Sequence, residues 1–340
     1  MSSLNFRVAQ IPIFTQVMDY QPQDRPGTIN IQAICLDDCS VSADRIQCIV
    51  RVQLEDYEAA LADSHRAIEL DPNNTGAYHN RGAANMALGN YEAALADYNR
   101  AIQLDPNNAG AYHNRGAAYM RLQQYEAALA DYNRAIQLDP NNAIAYNSRG
   151  AVLYYLGENQ GNFAKSAQDA RADYNEAIRI DPKYAPAYNN RGNVLAQLGD
   201  CEGAIADYNQ VIEINPNDTQ AYYNRGTIRY RLGEQAGARA DFDQAIEINP
   251  YYAEAYNNRG ILWAEMTDCQ QAIADYNKAI AINPYYADAY YNRALCRCAF
   301  EDYPAIIKDF QKAAQLYEEQ GITDDYQMAL DNISKLQHLK

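Results

Sequence analysis

Seven of the 12 prolines in this chain mark a regular pitch. Pro72, Pro106 and Pro140 stand 34 residues apart, Pro182 follows 42 later, and Pro216, Pro250 and Pro284 resume the spacing of 34. Each follows Asp or Asn, from Asp71-Pro72 to Asn283-Pro284. Proline drives the residue before it out of the α region, so each dipeptide stops a helix. A stop repeated at constant pitch marks a repeat array, in which each copy packs only on its neighbours.

Counted to its proline, the chain divides into units 41–74, 75–108, 109–142, 143–184, 185–218, 219–252, 253–286 and 287–320. Units 75–108 and 109–142 differ at only five positions, the mark of a recent duplication. In each unit an aromatic opens a first helical segment (Tyr78, Tyr112, Tyr146, Tyr188, Tyr222, Tyr256, Tyr290). A small residue follows four places on (Gly82, Gly116, Gly150, Gly192, Gly226, Gly260, Ala294). A turn such as Leu88-Gly89-Asn90 leads to a second segment carrying Ala94, Tyr98 and Ala101 or their equivalents. Spacings of four and then three put these on one helical face. Small residues let two helices approach and the aromatics fill the space between them. A single hairpin cannot bury that face alone, so the hairpins must stack.

Aromatic, small residue, Leu-Gly turn, Ala, aromatic and Pro at fixed offsets resemble the tetratricopeptide (TPR) repeat, from about residue 41 to 320. The resemblance implies an all-α fold: a right-handed superhelical solenoid of stacked helix–turn–helix units whose first helices line a concave groove. The Tyr-Xaa-Asn-Arg-Gly openings are similar to those of bacterial, notably cyanobacterial, arrays that help assemble complexes. Residues 1–40 stand outside the repeat and are unassigned; Pro12, Pro22, Pro26 and Gly27 break any helix there, leaving Phe6–Val17 and Thr28–Leu36 as either short extended pieces or disordered chain. Residues 41–320 form an array of about eight units. The first, 41–74, is degraded, with Asp44 and Ser64 at aromatic positions and Gln47 at the Arg position described below, and reads as an N-terminal cap. Unit 143–184 carries eight extra residues within Glu158–Arg171, enough for an early, protruding second helix or a longer loop. Residues 321–340 supply a C-terminal capping helix over Thr323–Leu339, with Tyr326, Ala329, Leu330, Ile333 and Leu336 on one face.

One departure from the TPR pattern recurs. Where the family has Leu in the first helix, this chain has Arg81, Arg115, Arg149, Arg191, Arg225, Arg259 and Arg293. Asp97, Asp131, Asp173, Asp207, Asp241, Asp275 and Asp309 recur with them on the second helix. The spacing predicts a ladder of partly buried ion pairs, in which losing one Arg strands a carboxylate. The repetition speaks for a structural role, not a catalytic one.

The residue before each Arg is Asn80, Asn114, Ser148, Asn190, Asn224, Asn258 or Asn292. Two places after the opening Tyr, this position turns away from the Tyr face and towards the groove. An amide both donates and accepts, so a row of them can grip a peptide backbone without reading its side chains. The row resembles those of other TPR arrays that hold extended peptides, including the substrate-threading domain of the O-linked GlcNAc transferases. The alternative is that Asn serves only to stabilise neighbouring first helices. Around the row, the same helical phase places His79, His113, Asn147, Asn189, Tyr223, Asn257 and Tyr291, and one turn on Met86, Met120, Tyr154 and Tyr230, then Arg121 and Arg231. The carboxylate-clamp branch of the family binds acidic chaperone tails with cations and amides together. In the best register here, Asn193 and Asn224 match its amides, but its three cations are absent, with Asn189, Glu254 and Asn258 in their places, which argues against such tails.

Composition narrows the partner. Lys and Arg number 28 against 44 Asp and Glu, a formal charge of −16. A surface that acidic disfavours nucleic acid and anionic membrane and suits a basic or neutral protein or peptide. No apolar run is long enough to cross a bilayer, and the start of the chain does not read as a signal peptide. Seven Cys at irregular spacing point to a reducing, cytoplasmic setting. His79 and His113 occupy equivalent places on adjacent units, which the duplication itself explains, and no Cys or carboxylate near them has ligand spacing. Cys296 and Cys298, two apart in a helix, point in different directions, and Cys35, Cys39 and Cys48 lack a fourth ligand at the usual spacing. We expect no cofactor, no metal and no enzymatic activity. The expected function is a protein–protein interaction scaffold that binds a partner in its groove through Asn80, Asn114, Asn190, Asn224, Asn258, Asn292, Tyr154, Tyr223, Tyr230 and Tyr291. The alternative is a self-associating structural or assembly-factor protein that meets its copies through Tyr251-Tyr252 and Tyr285-Tyr286.

Overall fold

A computed structural model describes residues 56–337, apart from residue 162. The segment 1–40, the positions Asp44 and Gln47, Cys35, Cys39 and Cys48, and His338 lie outside the described residues. The described chain is α-helical, with helices α1 (Tyr57–Leu70), α2 (Thr75–Ala87), α3 (Tyr91–Leu104), α4 (Ala109–Arg121), α5 (Tyr125–Leu138), α6 (Ala143–Gln160), α7 (Phe163–Ile180) and α8 (Ala185–Gln197). There follow α9 (Cys201–Ile214), α10 (Thr219–Arg231), α11 (Gln235–Ile248), α12 (Ala253–Glu265), α13 (Cys269–Ile282), α14 (Ala287–Arg297), α15 (Tyr303–Glu319) and α16 (Thr323–Gln337), with a short 3₁₀ turn at Cys298–Phe300. Even-numbered helices up to α14 are the first helices of their hairpins and odd-numbered ones the second. Among the described residues two compact units form, 56–194 and 195–337, divided within α8. Helices α1 to α7 pack in sequence, as do α9 to α16, giving an all-α solenoid of stacked hairpins.

Local chemistry sets the helix ends. Asn74, Asn108, Asn142 and Asp218 cap first helices, each side chain accepting from the backbone N–H three residues on. At the far end of each hairpin the Asp or Asn before Pro leaves the helix and folds its side chain onto the chain ahead. Asp71 Oδ1 accepts from Asn73 N at 2.9 Å, and Asp105, Asp139, Asp181, Asn215, Asn249 and Asn283 repeat the bond. The opening Tyr closes the same corner: Tyr78 OH donates to Pro72 O, and Tyr188 and Tyr290 do likewise to Pro182 and Pro284.

In five of the hairpins an aromatic of the second helix closes on a glycine of the first: Tyr98 on Gly82, Tyr132 on Gly116, Tyr174 on Gly150, Phe242 on Gly226 and Tyr276 on Gly260. A Cβ on Gly82 would meet the Tyr98 ring at 2.7 Å, and one on Gly260 the Tyr276 ring at the same distance. Only hydrogen fits there. The buried aromatic ring contributes roughly 2–3 kcal/mol by leaving water.

The expected ion pairs form. Arg115 grips Asp131 with both ends of its fork, Nε to Oδ2 at 2.7 Å and Nη2 to Oδ1 at 2.6 Å. Arg81–Asp97, Arg149–Asp173, Arg225–Asp241, Arg259–Asp275 and Arg293–Asp309 repeat it. Each Arg also lies over the ring of the opening Tyr, with its guanidinium carbon 5.4 Å from the Tyr112 centroid in the case of Arg115.

The insertion in 143–184 becomes neither a loop nor an early second helix alone. Both helices lengthen: α6 and α7 are 18 residues each, where α2 and α3 have 13 and 14. The C-cap of α6 is Gly161, at φ +71°. At the C-terminal end, α16 covers α14 and α15 with Tyr326, Ala329, Leu330, Ile333 and Leu336.

Candidate binding face on the first helices

First helices touch their successors directly: α2 meets α4, α4 meets α6, and α12 meets α14. The face they share carries the Asn row. The structure brings those amides into register and also occupies them. Asn190 Nδ2 donates to Asn147 Oδ1 at 3.0 Å, and Asn114 Nδ2 sits 3.2 Å from His79 Nε2. In the second unit Asn292 Nδ2 donates to Asn257 Oδ1 at 3.0 Å and Asn257 Nδ2 to Asn258 Oδ1 at 3.3 Å. Asn258 Nδ2 then donates to Tyr223 OH at 3.2 Å, and Asn224 Oδ1 accepts from Gln220 Nε2 at 2.8 Å. A rung of one hairpin thus reaches the residue before the rung on the preceding hairpin.

This corrects the picture of amides standing open to solvent. Asn224 and Asn292 have no accessible surface and Asn258 has 2 %, while Asn80 and Asn190 are also buried. Asn114 alone of the six is half-exposed. The physical reason is the pitch: stacking sets one first helix close enough to the next for their short amide side chains to meet.

Three of the tyrosines named for the groove are core residues. Tyr154 packs with Ala167, Ala170, Tyr174 and Val194 and stands edge-on to Phe163 at 5.5 Å. Tyr223 is enclosed by Phe242 and Tyr252, and Tyr291 by Phe310, with its hydroxyl accepting from Asn332 Nδ2. Tyr230 is half-buried and donates to Glu265 Oε1 at 2.5 Å. Met120 is buried and Met86 half-buried.

The first unit keeps polar atoms on this face with nothing to bind. Asn80 Nδ2 and His113 Nδ1 are buried and have no hydrogen-bond partner. Burial first, and His79 second, push the His113 imidazole down to about 4, so it is neutral at physiological pH. His79 and His113 each pack on their own hairpin, against Tyr98 at 5.7 Å and Tyr132 at 5.3 Å. Among the described residues no group of His, Cys, Asp or Glu is disposed to hold a metal ion. Cys296 is buried, its thiol pushed up by burial and by Cys269, whereas Cys298 is exposed.

A second tie was not foreseen. Every Arg of the ladder from Arg115 on also reaches back to the preceding second helix: Arg115 Nη1 donates to Asn99 Oδ1 at 2.6 Å. Arg149, Arg191, Arg225 and Arg293 do the same to Asn133, Asn175, Asn209 and Asn277, and Arg259 to Asp243. The signal was present in the sequence, as an Asn or Asp recurring two places after the Asp of the second helices α3, α5, α7, α9, α11 and α13. One guanidinium thereby joins its own hairpin to the one before it.

No described helix is long and apolar enough to cross a membrane. No curated protein matches the sequence. Among solved structures the chain is similar to a tetratricopeptide repeat protein from Parabacteroides merdae, at 21 % identity and TM-score 0.55 over 75 % of this chain and 98 % of that one. It is also similar to pilF of Pseudomonas aeruginosa, at 20 % and 0.56 over 63 % and 94 %. A third likeness is to the anaphase-promoting-complex assembly Cut9–Hcn1, at 17 % and 0.58 over 85 % of this chain and 55 % of that one. At these identities the likeness concerns the fold. The family model described as TPR repeat matches residues 50–89, 84–123, 118–157, 167–199, 192–233 and 226–266, and the chain belongs to the TPR repeat family.

Proposed function

We propose that this chain is a protein-interaction scaffold that holds an extended peptide segment of a partner along its first-helix face, and that it does no chemistry on it. A stacked array of this family presents a long surface suited to interaction. The observation that carries the finer reading is the Asn row, one amide at the same place on successive first helices, with orphaned polar atoms beside it at Asn80 Nδ2 and His113 Nδ1. An amide has two N–H groups and two lone pairs, so Asn114, the half-exposed rung, keeps capacity for a peptide N–H or C=O beside its bond to His79. The first unit is the more open, since Asn114 is half-exposed and Gly110 exposed. The test is capture of partners by the full chain with Asn80, Asn114 and Asn190 changed to Ala together. A variant that keeps its helical melt but loses the partner supports the reading; one that recovers the same partner undamaged sinks it.

Self-association is the second reading, and a specific observation favours it. Tyr251 and Tyr285 are 80 % and 69 % exposed, and Leu198, Leu232, Met266 and Phe300 form an exposed apolar row at the hairpin turns. Tyr252 and Tyr286, expected to share that role, turn inward instead. Light scattering across a concentration series decides it, and a monomer at every concentration removes it.

A further inference from the structure

The starts of α12 and α14 carry the same pattern, a Tyr at the cap position and an acid two places into the helix: Tyr252 with Glu254, and Tyr286 with Asp288. Earlier units have no acid there, with Gly76, Gly110, Ile144, Pro186 and Gln220 at the equivalent position. First-turn acids suit the helix dipole, but the dipole does not explain what gathers around them. Tyr252 stands edge-on to Tyr223 at 5.0 Å and donates to Gln220 Oε1 at 2.9 Å. Asp288 Oδ1 accepts from Tyr317 OH at 2.6 Å. The Tyr286 hydroxyl is buried and has no hydrogen-bond partner. Tyr286 packs on the apolar cluster of Ala253, Ala279 and Ala289, and burial first, then Tyr223, Asp288, Glu254 and Tyr252, hold its proton firmly. Glu254 forms no hydrogen bond or ion pair with a described residue. Arg259 is engaged with Asp275 and Asp243 and Arg293 with Asp309, while Arg231 acts on the neighbouring Tyr223 and has no ion pair with a described residue.

The geometry points to a receptor for a cationic side chain, arginine or lysine, presented by an extended segment of a partner. This rests on the first-helix face being a peptide-binding surface, and it gives that surface a charge preference. A guanidinium has five donors and no acceptor, matching a free carboxylate, a second carboxylate and an orphaned hydroxyl oxygen. The tyrosine rings add favourable faces for a cation. An acidic side chain is repelled by Glu254 and Asp288, and a neutral one leaves Glu254 without a partner.

The experiment is a random-peptide display selection on the full chain and on Glu254→Gln, an isosteric change at a half-exposed site. The expected result is that wild type enriches peptides with Arg or Lys at one fixed place and that Glu254→Gln does not. A selected peptide should then bind wild type at least about tenfold more tightly than Glu254→Gln, and lose about as much when its Arg is replaced by citrulline. Enriched peptides without a fixed cation overturn this inference and leave the binding face standing. A failure to enrich any peptide on folded wild type overturns both. Arg7, set in the apolar stretch Phe6–Val17, is a cation of the same kind on this chain. Unchanged affinity of the selected peptide for Arg7→Ala supports a partner's side chain as the occupant. Markedly tighter binding by that variant assigns the receptor to the chain's own arginine and overturns the partner assignment.

Discussion

Replacing Arg149 by Met would test the ion-pair ladder where its parts are separable. Arg149 holds Asp173 by Nε at 2.8 Å and by Nη2 at 2.5 Å, and reaches Asn133 at 2.9 Å with Nη1. The Arg side chain is 22 % exposed and the Asp side chain 8 %. The pair therefore lies between a surface ion pair, worth about 0–1 kcal/mol, and a buried one whose breaking costs about 3–5 kcal/mol, and nearer the second. Losing the tie to Asn133 and the stack over Tyr146 adds to it. We expect Arg149→Met to cost about 3 kcal/mol, a fall of roughly 7–10 °C in Tm for a unit of this size. Burial already holds the Asp173 carboxyl above the usual carboxylate range, and Arg149 works against that. Without the Arg, the burial and the neighbouring Asp169 and Glu176 all push the same way. A carboxyl whose folded pKa is raised costs stability above that value, and the cost vanishes as pH falls through its unfolded value of about 4. The deficit of the variant should therefore be largest at neutral pH and shrink on acidification. Urea melts followed by circular dichroism, with hydrogen exchange in α6 and α7, would measure it. The double change Arg149→Met, Asp173→Leu should recover at least half of the loss, because no carboxylate is then stranded. A single-variant cost below about 1 kcal/mol, or a double variant no more stable than the single, would refute the reasoning.

Three further outcomes follow from particular residues. His113 is held neutral with its pKa pushed down to about 4, so the unfolded chain binds its proton more readily. Its contribution should be flat above about pH 6.5 and destabilising below, reaching about 3 kcal/mol near pH 4, and His113→Gln should flatten that limb of a stability–pH series. Thr267 sits at φ +64° at a turn where Gly89, Gly199 and Gly233 serve in other hairpins. A β-branched residue is strained there, so Thr267→Gly should raise stability by about 1 kcal/mol in thermal melts, and a fall would show the turn is held by something else. The buried, unpartnered hydroxyl of Tyr286 predicts that Tyr286→Phe stabilises the unliganded chain by about 1 kcal/mol, whereas a drop in Tm would reveal a partner for it.

Much of the candidate site was legible before any coordinates. The Asn row, the Arg–Asp offset and the Gly–aromatic contact each recur at one place in most units, and recurrence at helical spacing says which residues share a face. It does not say what that face meets. Tyr154, Tyr223 and Tyr291 have the right phase for a groove and are core, because neighbouring helices close over them. Tyr251 and Tyr252 are adjacent and chemically identical, yet one points to solvent and the other into a polar cluster.

The sequence by itself determined where the second helices α1, α3, α5, α7, α9, α11 and α13 stop, which side chains pair within a hairpin, and that the hairpins must stack. These follow from nearest-neighbour chemistry along the chain: Asp-Pro breaks a helix wherever it stands, and an amphipathic hairpin needs a companion of its own kind. Only the tertiary structure decided that the amides bond to one another from hairpin to hairpin, that each guanidinium from Arg115 on also ties its hairpin to the one before, and that Glu254 is left without a counterion. Those outcomes depend on the distance between helices 34 residues apart, a quantity set by how the side chains of a whole layer pack and not by any one segment.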